Sequence, residues 1–261
     1  MTAPHAEERQ IDRLLTIMRR LRDPQNGCPW DIAQTPQTIA PFAIEEAYEV
    51  MDAIARADHD ALPDELGDLL LQVVFQAQMA QEAGQFDFND VARTIADKME
   101  RRHPHIFSPG AERGNWENIK ETERRGRAEF GALAGIAASL PALSRAAKIC
   151  SRAERVGFDW DDAQGVFQAV KGEIAELEAE MGGDPDRIED ELGDVLFTVA
   201  SLARKMNIDP EAALRRSNAK FTRRFEAMEA ALAQDGKTMP EQDLPTLEAL
   251  WKAVKKQPGM G

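Results

Sequence analysis

Apolar residues recur along this chain at helical spacing. Val166, Phe167, Val170, Ile174, Leu177 and Met181 form one stripe; Ile188, Leu192, Val195, Val199 and Leu202 form a second. Strong helix formers (Ala, Leu, Glu, Arg, Met) dominate, and no run alternates β-branched or aromatic residues with polar ones. The pattern predicts an all-α protein built of helical bundles. Gly, Pro, Asp and Asn clusters predict loops over residues 35–41, 182–186 and 235–245.

The pattern is written twice. Gly27-x-x-Trp30-Asp31 returns as Gly157-x-x-Trp160-Asp161, and Glu65-Leu66-Gly67-Asp68 as Glu191-Leu192-Gly193-Asp194. Lys98-x-x-Arg101-Arg102 returns as Lys220-x-x-Arg223-Arg224, and Trp116 and Lys120 are echoed by Trp251 and Lys255. The same order in both halves indicates duplication of a unit of about a hundred residues. A Gly- and Ala-rich stretch, 126–140, closes on Pro141. The expected organisation is an N-terminal copy at 1–128, a linker at 129–140 and a C-terminal copy at 141–261.

Each copy carries two carboxylate pairs: Glu46 and Glu49 with Glu65 and Asp68, then Glu173 and Glu176 with Glu191 and Asp194. At 100° per residue, Glu173 and Glu176 fall about 60° and 120° to one side of the first stripe, and Glu191 and Asp194 sit similarly beside the second. Both pairs therefore occupy the same shoulder, at the rim of the core. An isolated ExxE pair is usually a solvated helix face. A repeated set of four at a core edge is another matter, because like charges there repel unless a cation lies between them. All-oxygen donors suit Mg²⁺ or Mn²⁺; Asp68 and Asp194 stand where a di-iron bundle would place histidine. His5, His59, His103 and His105 lie outside the acid pattern.

Charge narrows the field further. The net charge of -14 disfavours non-specific nucleic-acid binding. A small anionic ligand is compatible with it if a metal and local cations intervene. Two cysteines, Cys28 and Cys150, without CxxC spacing point to a reducing, cytoplasmic compartment. Charges interrupt the first 21 residues, so no signal-peptide core is expected, and no apolar run reaches membrane length.

Lys220 and Arg224, one turn apart, could meet a polyphosphate or simply form a solvated basic face. Trp251 could stack on a nucleobase or anchor the last helix. Trp30 and Trp160 read as core anchors. Gly67 and Gly193, inside helices, read as points of close helix approach beside the acids.

Together these motifs resemble the MazG family of nucleoside triphosphate pyrophosphohydrolases. The resemblance rests on Gly27-Cys28-Pro29-Trp30-Asp31, Glu45-Glu46-x-x-Glu49, Glu65-Leu66-Gly67-Asp68, Arg101-Arg102-His103-Pro104-His105 and the second set through Trp251. It implies an all-α, homodimeric, Mg²⁺-dependent enzyme with tandem MazG domains that hydrolyses NTPs and dNTPs to nucleoside monophosphate and pyrophosphate. In the C-terminal copy it implies Glu173, Glu176, Glu191 and Asp194 as metal-holding catalytic acids. Lys220, Arg224, Trp251 and Arg187 would be nucleotide contacts. A second site would comprise Glu45, Glu46, Glu49, Glu65, Asp68, Lys98 and Arg102. The chain departs from the family at Gly172, where the first copy has Glu45. Alternatives are a base-specific dNTP or phosphoribosyl-ATP pyrophosphohydrolase, an oxygen-activating di-metal bundle, and a non-enzymatic acidic helical adaptor.

Overall fold

The computed structural model describes residues 9–108 and 131–260, and these fall into two compact units, one per copy. His5, Trp116, Lys120 and residues 126–130 lie outside the described residues. Every regular element among the described residues is a helix. The N-terminal unit contains α1 (Gln10–Leu21), α2 (Pro29–Ala33), α3 (Pro36–Ala55), α4 (Leu62–Glu82), α5 (Phe88–Arg102) and α6 (Pro104–Phe107). The C-terminal unit contains α7 (Ala142–Glu154), α8 (Ala163–Glu180), α9 (Pro185–Lys205), α10 (Pro210–Gln234), a 3-10 turn (Met239–Glu241) and α11 (Leu244–Val254).

The centre of each unit is a helical hairpin, α3 with α4 and α8 with α9. Helix α1 packs on α4, and α7 packs on α9 in the corresponding place. Helix α10 rests on α7 and α9 and carries α11. Local chemistry fixes the starts. Thr35 and Thr38 form a reciprocal capping box before α3, and Asp87 and Asp90 do so before α5. Asp162, Asp184, Asp209 and Asp243 accept backbone N–H groups at the starts of α8, α9, α10 and α11. Gly157 and Gly182 take positive φ at the turns bounding α8. Gly27 cannot be replaced cheaply, since a Cβ there would lie 2.3 Å from the Leu21 carbonyl oxygen.

Four expectations need correction. The Thr35 cap starts α3 at Pro36, so residues 36–41 are helical and Pro41 sits inside the helix. The loop expected at 235–245 contains the 3-10 turn and the start of α11. Trp30 and Trp160 are largely exposed, at 55% and 41%, so neither is a core anchor; Trp160 instead covers Gly165, whose added Cβ would lie 3.3 Å from its ring. Gly67 and Gly193 face open space, with nothing within 4 Å of an added Cβ. Close helix approach within one chain is therefore not their role.

The core is also narrower than the stripes suggested. Met18, Ile39, Val74, Phe75 and Met79 form the N-terminal cluster. In the C-terminal unit Val166, Val170, Ala200, Met228, Leu232 and Val254 are buried, with the polar Thr198 and Ser201 among them. Phe167, Ile174, Met181, Leu192 and Val199 lie exposed, although they belong to the expected stripes. Each hairpin thus presents one apolar face to its own unit and a second outward.

Candidate metal and nucleotide site

In each copy the hairpin brings its two carboxylate pairs side by side. Carboxylate oxygens of Glu173, Glu191 and Asp194 all lie within 4.8 Å of one another, and so do those of Glu46, Glu49 and Glu65. The three-residue spacing stacks both acids of a pair on one helix shoulder, and hairpin packing sets the shoulders together. Glu176 and Asp68 complete the quartets electrostatically. Partial burial and then the charges of Glu176, Asp194 and Glu191 push the Glu173 carboxyl above its ordinary range. Burial, then Asp68, Glu49 and Glu45, does the same to Glu46. Glu65 is raised by burial and by Glu49, Asp64 and Asp68, against the pull of Arg56.

Such mutual repulsion is what a divalent cation would relieve. The donors are all oxygens, without imidazole or thiolate, which fits a hard ion. Three acids of each set converge, and not the equivalent three: Glu176 stands outside the C-terminal cluster and Asp68 outside the N-terminal one. Thr198 escaped sequence reasoning. It is buried one turn beyond Asp194 on α9. A lone threonine in an apolar stripe gives no signal of this; only the packed register reveals it.

Arg187 lies beside the C-terminal acids. It donates to Glu180 at 3.0 Å and lies 3.8 Å from Glu191, one turn away on α9. Lys220 is half-buried on α10. Arg224 is buried on the same helix; its Nε donates to the Met260 carbonyl at 2.7 Å, and its guanidinium lies 5.5 Å from the centre of the Trp251 ring. Phe221 meets Trp251 at 5.1 Å between ring centres. These aromatics, with Phe225, Met228, Leu244 and Leu247, line an open cavity of about 560 Å³ between α10 and α11. An apolar cleft of this size, walled by an indole with Glu248 and Lys252 also lining it, has the dimensions and chemistry of a small planar ligand site. In the N-terminal unit Lys98 and Arg102 lie one turn apart on α5.

The profile of the MazG nucleotide pyrophosphohydrolase domain matches residues 34–107 and 162–228, which include both acid sets. The chain is 52% identical over 257 residues to the nucleoside triphosphate pyrophosphohydrolase of Escherichia coli K12, covering 95% of this chain and 98% of that protein. It is 43% identical over 247 residues to the nucleoside triphosphate pyrophosphohydrolase/pyrophosphatase MazG of Thermotoga maritima, covering 94% and 95% respectively. It is also 39% identical to half of the uncharacterised protein YabN of Bacillus subtilis. With the profile matched twice and near-full-length identity to these relatives, the chain belongs to the MazG nucleotide pyrophosphohydrolase family.

Proposed function

We propose that this protein hydrolyses nucleoside triphosphates, ribo- and deoxyribo-, to nucleoside monophosphate and pyrophosphate, with Mg²⁺ as its cation and the C-terminal copy as its working site. The observation that carries this reading is the cluster of Glu173, Glu191 and Asp194 oxygens within 4.8 Å, flanked by Glu176. Those four residues would hold Mg²⁺. Bound there, the ion would offset phosphate charge and lower the pKa of a coordinated water. A carboxylate of the set accepts the proton as water attacks phosphorus. Arg187, Lys220 and Arg224 offset charge on the phosphate chain, Arg224 exchanging its bond to Met260 for one to the substrate. Trp251 stacks on the base in the aromatic cleft. Glu45, Glu46, Glu49, Glu65, Asp68, Lys98 and Arg102 form the counterpart in the N-terminal copy.

The outward apolar faces support a homodimer. Leu66, Leu70 and Val73 on α4 and Leu192, Leu196 and Val199 on α9 are exposed rows at matching positions of the two copies. A second chain laid on them would close each hairpin into a four-helix bundle, and would explain the open space at Gly67 and Gly193. The copies span 1–128 and 141–261 about a linker at 129–140. No described helix is long and apolar enough to cross a membrane. Cys28 and Cys150 are unpaired, which suits a cytoplasmic setting. The net charge of -14 leaves nucleic acid a poor partner.

The test is incubation with each NTP and dNTP, with and without Mg²⁺, and chromatographic identification of products. Monophosphate plus pyrophosphate, only with the ion, is expected. Diphosphate plus orthophosphate would mean that another bond is cut, and no hydrolysis of any nucleotide would overturn the reading.

A further inference from the structure

Two charged side chains of α11 stand on the wall of the otherwise apolar cleft. Leu247 and Trp251, one turn apart, line the cavity of about 560 Å³, and so do Glu248 and Lys252 at the same interval. Among the described residues, the rest of the lining is aromatic or aliphatic. The Lys252 Nζ lies 3.7 Å from a Glu248 carboxylate oxygen, beyond hydrogen-bond length, so neither head group uses up the other. An apolar wall holds the flat face of any base, because every base has a π-face. Telling one base from another falls to the few polar groups that line such a site.

Glu248 and Trp251 are three residues apart, so the carboxylate and the indole share one face of the helix. A base stacked on Trp251 would turn its hydrogen-bonding edge towards the charged pair. Glu248 offers two acceptor oxygens, and Lys252 beside it offers donors alone. Guanine has the complementary edge: adjacent N1–H and N2–H donors, with the O6 acceptor next to them. Adenine and cytosine set one amino group beside a ring-nitrogen lone pair, which would repel the second carboxylate oxygen. Uracil and thymine set a single N–H between two carbonyls. We infer that Glu248 and Lys252 are specificity-determining residues, which make guanine nucleotides the preferred substrates. This rests on the reading of Trp251 as the platform for the base.

The experiment measures kcat and KM of the full-length parent, with Mg²⁺, for GTP, ATP, CTP, UTP and inosine triphosphate. It is repeated with Glu248→Gln and Lys252→Met, and folding is followed by thermal melting. Inosine triphosphate differs from GTP only in lacking the N2 amino group. The parent is expected to favour GTP in kcat/KM by about 5- to 20-fold over each of the others. That is low in the range for a bidentate base contact, because the Glu248 side chain is 58% exposed. Glu248→Gln turns one acceptor into a donor and is expected to remove most of the GTP-to-ATP preference, chiefly through KM for GTP. Lys252→Met, which loses only the O6 contact, is expected to lower the same ratio by less. Equal effects of Glu248→Gln on all five nucleotides would mean a structural role and overturn the inference. So would a parent that treats the bases alike or prefers another base, with the proposed hydrolase left intact. A parent that releases pyrophosphate from no nucleotide would overturn both.

Discussion

The two hairpins carry the same acids at the same register, yet the residues around them differ. Around the C-terminal quartet the chain places Lys171, Arg187 and the Thr198 hydroxyl; the corresponding N-terminal positions hold Ile44, Ala61 and Gln72. One further turn along the second helix stands Ser201, where the N-terminal core has Phe75. On the first helix the N-terminal copy exposes Ile44, Tyr48 and Met51, an i, i+4, i+7 row whose counterparts are Lys171, Ala175 and Glu178. The acid frame is the same in both; Arg187 lies beside the C-terminal set and Arg56 acts on Glu65 in the N-terminal one, while the exposed Ile44, Tyr48 and Met51 row is apolar only in the N-terminal copy. Cations near a carboxylate cluster suit an anionic substrate, and an exposed apolar row suits burial against another surface.

Glu191→Gln separates the two copies most directly. If Glu191 holds the ion as proposed, removing its charge forfeits several kcal/mol of transition-state stabilisation, so turnover should fall about a thousandfold or more. Glu65→Gln, its N-terminal counterpart, should leave turnover within about tenfold. Equal losses in pyrophosphate-release assays would mean that both copies work. Trp251→Ala should come next. Loss of base stacking, about 1–3 kcal/mol, should raise KM by roughly 5- to 150-fold and leave the cleaved bond unchanged. An unchanged KM would assign Trp251 to packing α11 against Phe221.

The acids were legible from sequence because helical period alone puts Glu173 beside Glu176 and Glu191 beside Asp194. The fold class was legible for the same reason. What period could not show was which apolar residues face inward, since Ile174 and Leu192 occupy stripe positions yet stand exposed. A stripe wide enough for two contacts looks like one broad core when only a single chain is read. Trp30 and Trp160 misled through residue type: large aromatics are usually buried, but the short helix α2 and the connection before α8 hold them near the surface. Arg224 was legible as a helix cation one turn from Lys220. Its bond to Met260 was not, because the two are 36 residues apart and no pattern links them.

Gly172→Glu would give the C-terminal copy the fifth acid of its twin. Nothing lies within 4 Å of a Cβ at Gly172, so the helix should accept the side chain. The exchange also removes a helix-interior glycine, a gain of up to about 1 kcal/mol. Mn²⁺ binding at the C-terminal site is expected to tighten several-fold in calorimetry, towards a matched pair of sites. Weaker binding would mean that Gly172 keeps repulsion among the quartet within bounds.

The smallest effect is a pH dependence of stability in the metal-free protein. Glu46 and Glu65 in one hairpin and Glu173 in the other have folded pKa values raised by burial and neighbouring acids. A carboxyl raised in this way binds its proton more tightly folded than unfolded. Its stabilising contribution is full below the unfolded pKa and is lost as pH rises through the folded one. Asp159 opposes the trend: burial pushes it up, but Lys205 and Arg204 outweigh that and hold its carboxyl low, so its contribution is lost only on acidification. Whole-protein melting curves mix these signs, and the readable quantity is the difference between variant and parent. With chelator present, Glu173→Gln should raise the melting temperature above the parent's at neutral pH, with the gain fading towards pH 4. Glu46→Gln should do likewise for the N-terminal unit, where two raised carboxyls steepen the dependence. On the proposed reading, adding Mg²⁺ should reverse the order, because an ion held by the charged quartet would stabilise the parent by mass action. A Glu173→Gln gain that persists with Mg²⁺ would mean that repulsion in the C-terminal quartet serves no bound cation.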